Sequence, residues 1–165
     1  MLLYAMVISR SKRKRQNKEG AAMPMTKVLL VDDEQSFVET MIKRLRKRDM
    51  EIVAAFDGRE ALARLDEDDG IEVVILDIRM PVMDGMEALK EIKSRHPLVE
   101  VIMLTGHATV ETGIAGMKRG AFDYLLKPCD IDQLISKVSE AAAHRRRHQE
   151  KIIEARIQAI TLRKP

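Results

Sequence analysis

The 165 residues suffice for one domain with an ordinary core and some tail, and a composition 45% hydrophobic and 33% charged excludes a chain that stays disordered. No apolar run approaches the roughly 20 residues of a membrane helix, and the single cysteine, Cys129, excludes an internal disulfide and fits a reducing, cytoplasmic compartment. The net charge of +3 conceals an asymmetry: residues 1–25 carry six basic residues against one acidic, residues 144–165 seven against two, and the stretch between them 16 against 23. The middle of the chain is thus acidic, a balance that repels nucleic acid and attracts divalent cations.

Along the chain, MLLYAMVI is apolar but short, and the basic run Arg10 to Lys18 follows it, the reverse of a secretory signal. Residues 1–25 read as a disordered basic extension, with Met23 and Met25 standing just before the first strand. Short apolar runs predict strands at Lys27–Val31, Ile52–Phe56, Val73–Leu76, Val99–Leu104 and Phe122–Leu126. Helical periodicity lies between them, in Phe37, Met41, Leu45, then Ala61, Leu62, Leu65, then Met86, Leu89, Ile92, then Val110, Ile114, Met117, and last Ile131, Leu134, Ile135, Val138. Asp57–Glu60, Asp84–Glu87 and Asp130–Gln133 have capping-box spacing, and Gly120 sits where a helix would end. Five strands alternating with five helices predict an α/β domain over 26–143, a parallel sheet with helices on both faces and right-handed crossovers. Beyond it, residues 144–165 predict a basic helical extension, its apolar stripe interrupted at 144–151 and resuming at Ile153, Ile157 and Ile160.

In such sheets ligands bind beyond the carboxyl ends of the strands. The first strand ends in Asp32-Asp33, the third in Asp77, the fourth in Thr105 and the fifth in Lys127. Three carboxylates brought this close cannot all stay ionised without a cation. Hard oxygen ligands suit Mg²⁺, and with a cation in place one carboxylate is left free to attack phosphorus. Lys127 can hold a phosphate oxygen and Thr105 can hydrogen-bond another, which describes a phosphoryl-transfer site with a carboxylate nucleophile.

The segments KVLLVDDE, VVILDIRMPVMDGMEAL, VIMLTGHAT and GAFDYLLKP resemble, in order and spacing, the response-regulator receiver family over residues 26–143, nearest to receivers of the nitrogen-regulator type. The resemblance implies a flavodoxin-like, doubly wound five-stranded parallel sheet of order 2-1-3-4-5 with five helices. It implies Asp77 as phosphoacceptor, Asp32, Asp33, Asp77 and the Arg79 backbone carbonyl as Mg²⁺ ligands, and Thr105 and Lys127 as phosphoryl contacts. Thr105 and Tyr124 would form the switch, and Lys127-Pro128 a cis peptide. The residues alone leave a core-packing role open for Tyr124, which alternates with Phe122 and Leu126. They also leave Arg79 and His107 open as rim side chains that are merely solvated.

The function so implied is a two-component regulator, not a turnover enzyme, that takes a phosphoryl group from a histidine kinase or phosphotransfer protein. It would signal to an unidentified downstream protein by contact, and a homodimer is compatible with it. The rival reading is a DNA-binding regulator using the basic tails. It is disfavoured by 3% aromatic content and the lack of a recognisable helix-turn-helix. A third is an enzyme acting on phosphorylated substrates, but no Walker loop and no GxGxxG are present and Asp77-Ile-Arg79 lacks a second aspartate. His144 and His148, at i, i+4, read as part of a solvated basic face rather than a metal site, Cys129 as a packed thiol, and the methionines around Asp77 as core and loop filling.

Overall fold

A computed structural model describes residues 25–107 and 109–163. Apart from Met25, the expected N-terminal extension lies outside the described residues. Ten elements alternate: β1 (Thr26–Val31), α1 (Gln35–Arg46), β2 (Met50–Ala55), α2 (Gly58–Glu67), β3 (Val73–Leu76), α3 (Gly85–Arg95), β4 (Glu100–Thr105), α4 (Val110–Lys118), β5 (Asp123–Leu126) and α5 (Ile131–Thr161). The strands form one parallel sheet in the order β2-β1-β3-β4-β5, as expected. Strand β3 has its expected ends, and the other strand ends match the predicted ones or differ by one or two residues.

Period-two alternation assigns side chains to the two faces. Val28, Leu30, Ile75, Ile102 and Leu104 meet Val38, Met41 and Leu45 of α1 and Leu134, Val138, Ala141 and Ala142 of α5. Leu29, Val31, Val74, Leu76, Val101 and Met103 meet Ala61, Leu62 and Leu65 of α2 and Ala88, Leu89 and Ile92 of α3. All four residues of β3, the central strand, are buried, which explains its unbroken apolar sequence.

Local signals set the helix ends. Asp57 accepts from the Glu60 amide at 2.8 Å and Asp84 from the Glu87 amide at 2.9 Å. The expected box at Asp130–Gln133 does not form. Asp130 instead accepts from the Asp132 amide at 3.3 Å, since either free amide of a first turn can serve a cap. A box absent from the sequence reading opens α4, where the Thr109 and Thr112 hydroxyls each accept from the other's backbone amide. Gly120, at φ +95°, ends α4 as expected; Ala121 N donates to Gly116 O and Gly120 N to Met117 O, closing a Schellman turn.

Two outcomes differ from the sequence pattern. The stripe Val110, Ile114, Met117 forms a helix, but these residues are 76%, 51% and 48% exposed and do not enter the core. Helix α4 instead lays Gly113 and Gly116 against the Tyr124 ring. The face expected to be solvated around His144 is also a docked one. Arg146 grips Glu72 with two bonds of 2.7 Å, Arg145 Nη2 reaches the Asp69 carbonyl at 3.3 Å, and His144 Nδ1 lies 3.1 Å from Glu100. Glu72 and Glu100 are buried at the amino-terminal edge of the sheet, and their charges draw the basic helix across it. Helix α5 runs on unbroken to Thr161, leaving Ile153, Ile157 and Ile160 exposed. Among the described residues no helix is long and apolar enough to cross a membrane.

Candidate functional site

The expected site residues meet at the carboxyl edge of the sheet because β1 and β3 are neighbours, as are β4 and β5. Backbone bonds extend the ladder one residue past each strand: Asp32 N donates to Ala55 O at 3.2 Å, Asp77 N to Val31 O at 3.0 Å and Lys127 N to Thr105 O at 2.9 Å. Asp32, Asp77 and Lys127 therefore stand on an extension of the sheet ladder rather than on free loop.

Asp32, Asp77 and Thr105 are buried and Asp33 is exposed, and one carboxylate oxygen from each of the three aspartates lies within 4.8 Å of the others. Asp32 Oδ1 accepts the Glu34 amide and Asp77 Oδ1 the Ile78 amide, both at 2.9 Å, so backbone donors aim both carboxylates. The Lys127 ammonium lies 2.5 Å from Asp32 Oδ2 and 4.0 Å from Asp77 Oδ2. Thr105 Oγ1 accepts the His107 amide at 3.2 Å. Burial pushes the Asp77 carboxyl above the usual carboxylate range and the Asp32 charge adds to this, while the Thr105 hydroxyl, Lys127 and the Ile78 amide draw it part of the way back.

The loop from Asp77 to Gly85 forms one wall. Met83 N donates to Pro81 O at 2.8 Å around Val82, whose φ of 71° makes this a γ-turn. A β-branched residue is strained there, and the loop is held by Gly85 N donating to Ile78 O at 2.7 Å. A Cβ on Gly85 would lie 2.0 Å from the Asp77 carbonyl, so only glycine lets α3 start this close to β3. Asp33, Arg79, Met80, Asp84 and Met86 line an open cleft of about 450 Å³ beside the aspartates. The donor chemistry of Asp32, Asp33 and Asp77, three carboxylates close together with like charges to be neutralised, fits a hard divalent cation. Arg79 lines the same cleft, and His107 is exposed at the rim.

Tyr124 lies farther along β5, half-buried, with its hydroxyl 2.9 Å from Thr112 Oγ1. Cys129 is partly buried against the α1 side of the core, and burial raises its thiol pKa. Lys127-Pro128 is cis. One feature escaped the sequence reading. Phe37 continues the apolar stripe of α1 and reads as core, yet its ring lies beneath the Lys127 ammonium, 4.0 Å from centroid to Nζ. Its place four residues after Asp33 is the only local signal.

Residues 28–139 match the family model of the response regulator receiver domain. Among curated proteins, the chain is 39% identical over 127 residues to the transcriptional regulatory protein ZraR of Klebsiella oxytoca, covering 77% of this chain and 28% of that one. It is 37% identical over 123 residues to the DNA-binding transcriptional regulator NtrC of Salmonella typhimurium, covering 74% and 26%. The chain thus spans little more than a quarter of the length of these relatives. Among solved structures, a CheY-like receiver domain protein from Methanospirillum hungatei aligns with a TM-score of 0.72 at 26% identity, over 76% of this chain and 99% of that one. NtrX from Brucella abortus, bound to ADP, aligns with 0.71 at 32% identity, over 77% and 29%.

Proposed function

The chain belongs to the response-regulator receiver family, and on that premise we propose that Asp77 is its phosphoacceptor, in a site completed by Asp32, Asp33, Thr105 and Lys127. The observation that carries this is the convergence of three carboxylates within 4.8 Å beside the Lys127 ammonium. Asp32, Asp33, Asp77 and the Arg79 carbonyl would hold Mg²⁺, which when bound neutralises charge on the incoming phosphoryl group. The Asp77 oxygen not held by the Ile78 amide attacks phosphorus. The P–N bond to the donor histidine breaks, the imidazole leaves with that electron pair and is protonated, and an acyl phosphate forms on Asp77. Lys127 shifts from Asp32 to a phosphoryl oxygen, and the Thr105 hydroxyl donates to another.

The donor is a histidine kinase or phosphotransfer protein, and the chain is a phosphoacceptor that assists its own modification rather than a turnover enzyme. A single cysteine supports a cytoplasmic setting. We assign residues 26–143 to the receiver, with basic extensions at 1–25 and 144–165. Output passes through the face of α4, β5 and α5, where Tyr124 and the exposed Val110, Ile114 and Met117 lie. A Thr105 hydroxyl drawn to the phosphate opens room for the Tyr124 ring and biases an existing equilibrium. Inverting that equilibrium from 1:99 to 99:1 takes about 5.5 kcal/mol. One hydrogen bond to a charged acceptor supplies only about 1.5–3 kcal/mol, so Lys127 and the cation share the work.

The test is intact mass after incubation with acetyl phosphate or phosphoramidate. The wild-type chain should gain one phosphoryl group, EDTA should suppress the gain, and Asp77→Asn should abolish it. Undiminished labelling of Asp77→Asn sinks the assignment.

The names of the curated relatives favour a second reading, DNA-binding regulation by a longer protein, which the sequence alone disfavoured. The expectation against DNA binding finds no support among these relatives. Exposed Lys151 and Arg156 on α5, and Arg163 just beyond its end, are compatible with phosphate contacts. A salt-titrated DNA-binding assay with and without residues 144–165 separates the two. Binding that needs this segment and weakens steeply with salt supports the second reading.

A further inference from the structure

We propose that Phe37 is a positioning residue for Lys127, keeping the ammonium at the phosphoryl site once Asp32 is engaged by a cation. The inference rests on the phosphoacceptor reading above and deepens it. Among the described residues, Lys127 Nζ makes three charge or ring contacts: Asp32 Oδ2 at 2.5 Å, Asp77 Oδ2 at 4.0 Å and the face of the Phe37 ring at 4.0 Å. Two of these are carboxylates that a divalent cation would also claim. A cation on Asp32 and Asp77 offsets their attraction for the ammonium and repels it. The side chain is flexible, with about 2 kcal/mol of rotamer freedom to regain on release.

The ring is a different kind of partner. Its negative face attracts an ammonium but binds neither a hard metal ion nor a proton. The contact is therefore the one member of the three that a bound cation does not compete for. Its placement agrees with that role. Val38, Met41 and Leu45 of the same helix are buried in the core, whereas Phe37 packs only on the core's edge and leaves a face for Lys127. The ring stands on the first turn of α1, which starts three residues after Asp32, so the wall and the carboxylate belong to one rigid segment.

Two variants separate the ring from mere bulk. Phe37→Leu keeps an apolar side chain of similar size, and Phe37→Tyr keeps the aromatic face. In saturating Mg²⁺, the phosphoramidate labelling rate of Phe37→Leu should fall about 2- to 30-fold while Phe37→Tyr stays within about 2-fold of wild type. In the NMR spectrum, the Lys127 side-chain protons nearest Nζ should be shifted upfield by the ring in wild type and Phe37→Tyr, with and without Mg²⁺, and not in Phe37→Leu. Equal rates for Phe37→Leu and wild type, an equal loss for both variants, or an upfield shift that disappears on adding Mg²⁺ would each overturn the proposal alone. A wild-type chain that takes no phosphoryl group would overturn the phosphoacceptor reading and this one with it.

Discussion

The Tyr124 hydroxyl lies 2.9 Å from Thr112 Oγ1, and the same Thr112 oxygen accepts the Thr109 amide in the box that opens α4. A ring on β5 and the first turn of a neighbouring helix are thereby joined through one hydroxyl. Motion of Tyr124 cannot leave the α4 cap untouched. Tyr124→Phe should cost about 1 kcal/mol in urea melts, the net worth of one hydrogen bond. Thr112→Val should cost more, about 1–2 kcal/mol, because it also removes half of the cap. Amide exchange at Thr112 and Gly113 should quicken in both, and Thr112→Ser should restore it. Unchanged exchange in Tyr124→Phe would mean that the ring and the cap act separately.

Lys127→Ala should destabilise the metal-free protein. Asp32 is almost wholly buried and Lys127 is the cation beside it. Removing the ammonium leaves a desolvated carboxylate next to the charge of Asp77, at a cost of about 1–3 kcal/mol. Added Mg²⁺ should recover much of the loss. Denaturant melts in EDTA and in Mg²⁺ measure both, and a loss that Mg²⁺ does not reduce would count against a cation at these carboxylates.

Asp77→Asn should have the opposite sign. The Asp77 carboxyl holds its proton more firmly in the fold than in the unfolded chain, because of burial and then the Asp32 charge. Its contribution therefore favours the fold below the ordinary value of 3.8 and is lost as pH rises through the raised value. At neutral pH the ionised group opposes folding. In EDTA at pH 7 the variant should melt higher, by about 2–4 °C for each kcal/mol relieved, and the gain should shrink toward pH 4.

Arg146→Ala should loosen the start of the C-terminal extension. The guanidinium meets buried Glu72 with two bonds of 2.7 Å, and the variant leaves that carboxylate without them and with Arg145 4.0 Å away, costing about 1–3 kcal/mol. Arg146→Lys should rescue only part, since an ammonium cannot reproduce the fork. Backbone relaxation of residues 144–151 reads the local effect, and equal order in all three proteins would show that the pair does not hold the helix.

Gly85→Ala should be among the most damaging single-methyl changes in the domain. The added carbon meets the Asp77 carbonyl at 2.0 Å, and neither strand end nor helix start is free to move. A cost of about 1–3 kcal/mol is expected from overpacking alone. Fluoride–beryllium complex binding should weaken with it, because the displaced backbone carries Asp77. Thermal melts and titration of the complex check each effect.

Much of this protein is local and therefore legible in one dimension. Period-two runs specify the strands, i, i+4 stripes specify α1, α2 and α3, and Asp57, Asp84 and Gly120 mark helix ends through contacts a few residues long. Strand ends carrying Asp32, Asp33, Asp77, Thr105 and Lys127 place the candidate site once the sheet is known to be parallel. Periodicity cannot say what a face meets. Val110, Ile114 and Met117 have the spacing of a core stripe but lie at the sheet's edge, where the described residues leave them largely or half exposed. The basic run at 144–147 has the look of a solvated face, yet Glu72 and Glu100 lie 74 and 44 residues away in sequence and only the fold brings them under it. Phe37 reads as core until the fold sets the Lys127 ammonium on its ring. Charge and ring contacts between distant segments have no period, so only the tertiary structure decides them.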